Sequence, residues 1–213
     1  MKIIVFDCDS TLSSIEGIDF LAGMSGADVS QKIVDMTNAA MDGKIPIESV
    51  FAKRLEIIQP TQAGVAQVGK RYLETIEPSA LKVVENLRSE GWTPFILSAG
   101  YVQAIAPLAK YLGIETIEAV NLFFNDDGSY KGFDSDYPTT RNGGKLEIIN
   151  KLKQNYSPEK IVMVGDGVSD LETKPGVDMF FGFGRYAIRD KVKSEADYYI
   201  QDLAELLPLL SHS

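Results

Sequence analysis

Three short apolar runs, each stopping abruptly at polar residues, constrain this chain more than any other feature. Met1 to Phe6 reads as a buried strand that ends at Asp7-Cys8-Asp9-Ser10. Trp92 to Leu97 ends at Ser98-Ala99-Gly100, and Lys160 to Val164 ends at Gly165-Asp166-Gly167. Helical patterns separate the runs. Ser79 is placed to cap a helix with Ala80, Val83, Val84 and Leu87 at i, i+3, i+4 and i+7, which Gly91 stops. A second helix runs from near Val102 to about Leu112, and a third covers Lys145 to Leu152, with Ile148 and Leu152 on one face. Asp127-Gly128 turns a hairpin across Asn121 to Phe133, and Met179 to Phe183 and Tyr198 to Ile200 supply later strands. Strands alternating with helices predict an α/β fold built on a mainly parallel sheet.

Residues Ser14 to Glu77 break that rhythm and contain no convincing strand. Ile33, Met36 and Ala40 share one helical face, and Phe51, Leu55 and Ile58 share another. The expected organisation is a core of residues 1–13 and 78–213 with a helical subdomain, 14–77, inserted after the first strand.

Composition narrows the chemistry. Lys and Arg number 21 against 30 Asp and Glu, a formal charge of −9, so wrapping a nucleic acid is not expected. No apolar run approaches the roughly 18 residues of a membrane span, and Ile3 to Phe6 is too short for a signal-peptide core. One cysteine, Cys8, excludes an internal disulfide framework and fits a reducing compartment, with the cytoplasm as default. The one histidine, His212, sits next to the last residue, which disfavours histidine metal sites and Ser-His triads. Chemistry here runs on carboxylates, lysine, hydroxyls or an oxygen-held metal. Strand alternation turns Cys8 away from Asp7 and Asp9, towards the packing layer, as an inert buried thiol.

In a parallel sheet the carboxyl ends of the strands form the ligand crevice, so Asp7, Asp9, Ser98, Asp166 and Asp170 converge despite lying some 160 positions apart. Carboxylates so crowded repel unless a cation sits among them, and Mg²⁺ suits such oxygen donors. Taken singly, each signal is weak. An Asp-x-Asp after a strand is commonly turn chemistry, Ser98 would serve as a helix cap, and Glu16 and Arg54 would make a surface pair. Lys145 follows Gly143-Gly144, but the full phosphate-loop pattern is absent.

Together, Asp7-Cys8-Asp9-Ser10-Thr11, Ser98, Lys145 and Gly165-Asp166-Gly167-Val168-Ser169-Asp170 resemble the four motifs of the haloacid dehalogenase superfamily of phosphatases. Glu16-Gly17-Ile18-Asp19, Met36-Thr37 with Ala40-Met41, Arg54-Leu55, Gly143-Gly144-Lys145 and Gly182-Phe183-Gly184 extend the resemblance to its phosphoserine phosphatase family. The resemblance implies a Rossmann-like core with an inserted cap, and a Mg²⁺-dependent hydrolysis of phosphoserine for serine biosynthesis. It implies Asp7 as nucleophile, forming an aspartyl-phosphate, and Asp9 as the acid and then the base. Mg²⁺ is implied at the Asp7 carboxylate, the Asp9 backbone carbonyl and Asp166, with Asp170 orienting from behind. Ser98, Ala99, Gly100 and Lys145 are implied to hold the phosphoryl group, and Glu16, Met41, Arg54 and Ser169 the substrate's remainder. Met41 also reads as a core residue.

Some positions depart from the family pattern. Ser98-Ala99-Gly100-Tyr101 replaces the usual Ser-Gly-Gly-Phe, Ile47 stands where Phe is frequent, and Ser169 where Asn or Thr is common. Two rivals therefore stay open: the same chemistry, or phosphotransfer, on another small phosphomonoester; and a silent phosphate-binding regulatory module. The partner expected is a small molecule, and monomer and homodimer are equally compatible with the sequence.

Overall fold

The computed structural model describes residues 1–211, so His212 lies outside the described residues. The chain begins with strand β1 (Lys2–Phe6), followed by helices α1 (Gly17–Gly23), α2 (Ala27–Met41), α3 (Phe51–Ile58) and α4 (Gln62–Glu74). Next come α5 (Ala80–Ser89), β2 (Trp92–Tyr101), α6 (Val102–Leu112) and β3 (Thr116–Val120). A hairpin of β4 (Leu122–Phe124) and β5 (Tyr130–Phe133) precedes α7 (Gly144–Tyr156) and β6 (Lys160–Gly165). The remainder is α8 (Val168–Leu171), β7 (Met179–Phe183), α9 (Asp190–Glu195), β8 (Tyr198–Ile200) and α10 (Leu206–Ser211).

Six strands form one parallel sheet in the order β3-β2-β1-β6-β7-β8. The connections run outward in opposite directions from β1, so the topological switch point, where a ligand crevice opens, lies between β1 and β6. Phe6 pairs with Ile96 on one side and Val164 on the other, which sets the carboxyl ends of β1, β2 and β6 at one level. The Asp7 N–H extends the ladder one step, donating to Val164 O at 2.9 Å.

Both faces of the sheet are covered. Ile4, Phe6 and Val164 pack with α5, α6 and α10, while Ile3, Val5, Leu97 and Met163 pack against Ile148, Ile149 and Leu152 of α7. This two-sided burial explains why the central strands read as continuous apolar runs. Cys8 lies fully buried with Ile4 and Phe6, on the face that alternation assigns it. Burial and the neighbouring Asp9 and Asp7 charges push its thiol well above the ordinary range, which leaves it protonated and inert.

Helices α1 to α4 sit over the carboxyl ends of the strands. Ile33 and Ala40 of α2 and Phe51, Leu55 and Ile58 of α3 are buried there. Two chain crossings join these helices to the sheet, and they run side by side. Ser14 N–H donates to Thr75 O, Glu77 N–H donates to Leu12 O, and Ser13 bridges Ile76 in antiparallel fashion.

Two expected helix caps are absent. Ser79 occupies the position before α5, yet its hydroxyl donates to Glu77 and Asp202 carboxylates instead, at 2.7 and 2.9 Å. Ser98 lies inside β2, four residues before α6, because the strand continues to Tyr101 through a register shift after Leu97. That irregularity turns the Ser98–Gly100 backbone into the crevice, and Ser98 Oγ accepts the Gly100 N–H at 2.9 Å.

Candidate active site

After β1 the chain coils into a wide turn over Cys8–Leu12, closed by Ser13 N–H to Cys8 O at 3.0 Å. Ser10 takes φ +50° inside it, a left-handed conformation that reverses the backbone directly behind Asp9. Asp7 stays at the strand end, buried, with Oδ1 accepting the Cys8 N–H at 2.8 Å.

Lys145 lies 3% exposed in the first turn of α7, with Nζ 3.1 Å from Asp7 Oδ1 and 2.5 Å from Asp170 Oδ1. It reaches so deep because Gly144 packs against the backbone of Pro138, where a Cβ would fall 1.7 Å from the carbonyl oxygen. Burial alone would lower the lysine; the Asp170 and Asp7 charges outweigh it and hold the ammonium protonated above its ordinary range. Asp170 is fully enclosed, its second oxygen accepting the Gly167 N–H at 2.9 Å.

Oxygens of Asp7, Asp166 and Asp170 lie within 4.8 Å of one another, all three residues buried. Burial and the charges of Glu16, Asp170 and Asp7 push Asp166 well above the carboxylate range. Arg189, which the sequence reading missed, offsets part of that charge: its Nε donates to Asp166 Oδ2 at 3.2 Å and its Nη1 to Asp42 Oδ1 at 2.8 Å. An all-oxygen donor set carrying excess negative charge fits a hard divalent cation, so the site is a buried aspartate cluster able to hold a metal.

Asp9 faces the opposite wall. Its Oδ1 accepts the Gly17 N–H and the Tyr72 hydroxyl, each at 2.6 Å, and its Oδ2 lies 3.5 Å from Ser98 Oγ. Burial, Glu16 and Asp7 push its carboxyl well above the usual range, which favours the protonated form that an acid needs. Glu16 accepts the Ser10 hydroxyl at 2.6 Å.

Two small cavities meet here, each with room for roughly one or two waters. The first, about 20 Å³, is lined by Asp7, Asp9, Glu16, Met41, Ser98, Ala99, Lys145, Asp166 and Ser169. The second, about 30 Å³, shares Asp9, Glu16, Met41 and Ala99 and adds Arg54, Tyr72, Gly100 and Tyr101. Met41 thus lines the cavities. Arg54 and Glu16 do not form the surface pair that the simpler reading allows: Arg54 is 4% exposed and makes no ion pair with Glu16. Its Nη1 donates to Thr37 Oγ1 at 3.1 Å, Thr37 donates to Asp19 at 2.7 Å, and its Nε has no partner. Larger clefts lie elsewhere, such as one of about 390 Å³ at the amino ends of β2 and β3, without a comparable group of carboxylates.

Every candidate named from sequence therefore falls on one of two joined cavities or, for Asp170, directly behind them. Comparisons with known proteins bear on the family. A family model described as haloacid dehalogenase-like hydrolase matches residues 1–173. A phosphoserine phosphatase from Bos taurus is 37% identical over 209 residues, covering 97% of this chain and 92% of that one. The chain belongs to the phosphoserine phosphatase family of haloacid dehalogenase-like hydrolases. The phosphoserine phosphatase of Methanocaldococcus jannaschii is 29% identical, with 97% and 96% of the two chains covered. Among solved structures, a phosphoserine phosphohydrolase-like protein from Francisella tularensis superposes with a TM-score of 0.90 at 28% identity, covering 99% of this chain and all of that one. A phosphoserine phosphatase solved as a phospho-aspartyl intermediate analogue gives 0.84 at 25% identity, covering 98% of each. Family membership makes the chain a phosphatase and sets aside the silent-module reading.

Proposed function

We propose that the chain hydrolyses O-phospho-L-serine to L-serine and phosphate, through a phosphoryl group carried on Asp7 and with Mg²⁺, as a step of serine biosynthesis in the cytoplasm. One observation carries the substrate. The cavity beyond Asp9 holds a buried guanidinium, Arg54, with an unpartnered Nε, and a carboxylate, Glu16, on its wall. A phosphorylated amino acid needs such a pair: a cation for its carboxylate and an anion for its ammonium. The relatives' names point the same way. No helix among the described residues is long and apolar enough to cross a membrane.

The chemistry follows from the residues. A carboxylate oxygen of Asp7 attacks phosphorus, forming an acyl-phosphate as the bond to the serine oxygen breaks. Asp9 gives its proton to that departing oxygen. Asp9 then takes a proton from water, the water oxygen bonds to phosphorus, and the acyl-phosphate bond breaks to free Asp7. Lys145 and the hydroxyl and N–H groups of Ser98, Ala99 and Gly100 hold the transferring oxygens. Mg²⁺, held by Asp7, the Asp9 carbonyl and Asp166, would neutralise phosphoryl charge, and Asp170 with Lys145 keeps that cluster in place.

At about 20 and 30 Å³ the two cavities are too small to admit a phosphoserine, so helices α1 to α4 act as a cap, spanning 14–77, that opens on the paired crossings at Ser13 and Ile76. Phosphate release from a panel of phosphorylated amino acids, ethanolamine and sugars, with Mg²⁺ and with chelator, tests the assignment. Metal-dependent release that favours phosphoserine is expected. Equal rates on phosphoserine and a sugar phosphate would remove the role given to Glu16 and Arg54.

A further inference from the structure

Two donors from the capping helices converge on a single oxygen of Asp9. The Gly17 N–H opens α1 and the Tyr72 hydroxyl belongs to the last turn of α4; both lie 2.6 Å from Oδ1. Tyr72 is fully buried, so water does not compete for its hydroxyl. The approach depends on glycine at position 17, where a Cβ would fall 2.2 Å from the Tyr72 hydroxyl oxygen. Oδ2 is left on the other side, towards Ser98 Oγ at 3.5 Å and the Gly100 backbone. One oxygen of this carboxyl therefore faces the helices, and the other faces the strand end assigned to the phosphoryl group.

An oxygen already accepting two hydrogens has no room for a third, so a proton carried by Asp9 sits on Oδ2. We infer that Tyr72 is a positioning residue for the acid, holding the Asp9 carboxyl so that Oδ2 delivers the proton, and doing so only while α1 and α4 are seated over the sheet. The inference rests on the reading of Asp9 as the acid. As the ester P–O bond breaks, the proton passes from Oδ2 to the departing alkoxide, and the two donors on Oδ1 hold the charge left behind. In the second half-reaction the proton from water returns to Oδ2. Tyr72 gives up no proton in either half. Closing the helices and aiming the acid become one event, which withholds the acid while the site is open.

The test uses Tyr72→Phe, which removes one oxygen and keeps the ring. Phosphorylation of the enzyme is followed in single turnovers with Mg²⁺, using phosphoserine and p-nitrophenyl phosphate. The serine alkoxide needs a proton to leave; the nitrophenolate does not. Tyr72→Phe is expected to slow phosphorylation by phosphoserine about 10- to 100-fold, with under about 3-fold change for the aryl ester. Asp9→Asn, run in parallel, is expected to show the same selectivity more strongly. A selective Asp9→Asn beside a Tyr72→Phe that slows both esters alike, or neither, would overturn this inference and leave Asp9 as the acid. An Asp9→Asn without selectivity would overturn both.

Discussion

Arg54→Ala is expected to weaken recognition of phosphoserine while sparing an ester that lacks its carboxylate. Arg54 is 4% exposed, its Nη1 is tied to Thr37 at 3.1 Å, and its Cζ lies 5.9 Å from the Phe51 ring centroid. The guanidinium is therefore held in one place and largely stripped of water before a substrate arrives. A carboxylate that meets it pays little reorganisation, and truncating one partner of such a desolvated pair costs on the order of 2–5 kcal/mol. That corresponds to roughly 30- to 4,000-fold in kcat/KM. Arg54→Lys keeps the charge and loses the fork, so its loss should fall between wild type and alanine. The assay compares kcat/KM for phosphoserine with that for O-phosphoethanolamine, which keeps the ammonium and drops the carboxylate. The second substrate should change by less than about 3-fold in Arg54→Ala. A thermal melt checks that the Thr37–Asp19 support has not collapsed. Equal losses on both substrates in a folded variant would show Arg54 to be structural, and the serine assignment would lose its main support.

Two further outcomes follow from packing and charge. Gly144→Ala must push a Cβ into the Pro138 carbonyl at 1.7 Å, so it should destabilise by about 1–3 kcal/mol or more in urea unfolding and disturb Lys145; Gly23→Ala, with open space around it, should be close to neutral. Asp9, Glu16 and Asp166 are held above the carboxylate range chiefly by burial, and Asp170 is pushed up to about 7 by burial and then by the Asp7 charge. The folded, metal-free protein thus binds more protons than the unfolded chain between about pH 4 and 7, and raising the pH through that window removes stability. Chelated protein should melt higher at pH 5 than at pH 7, with Asp170→Asn flattening the difference; a Tm that rises towards pH 7 would contradict the charge crowding.

The sheet was legible because a parallel strand buried on both faces is written as an unbroken apolar run, and Ile3–Phe6, Phe95–Leu97 and Ile161–Val164 each stop at the residues that line the crevice. Asp7 and Asp166 stand in short motifs at those stops and Lys145 follows Gly143-Gly144 at the start of α7; each signal is weak alone, and the ordered set named them through its family resemblance. Arg189 was not legible: it sits in an irregular segment before α9 and meets Asp166 only through the fold. Tyr72 follows Val65 and Val68 at helical spacing and reads as a core aromatic, which its ring is; only the three-dimensional path of α4 brings its hydroxyl to Asp9. Ser79 and Ser98 failed as helix caps for a related reason. Adjacency to a helix start was visible in sequence for Ser79, while its competing partners Glu77 and Asp202 were not; for Ser98 the hidden feature was the continuation of β2 to Tyr101, which leaves its Oγ to the Gly100 N–H.

The central claim is that Asp7 carries the phosphoryl group, and its most direct test is to trap that group. The enzyme is mixed with labelled phosphoserine and Mg²⁺, quenched in acid within a turnover, and the labelled peptide is mapped. The label should sit on Asp7, be released by hydroxylamine as an acyl-phosphate is, and be absent from Asp7→Asn. Full turnover with no trapped label, or label found on Cys8 or Ser10 instead, would contradict the mechanism.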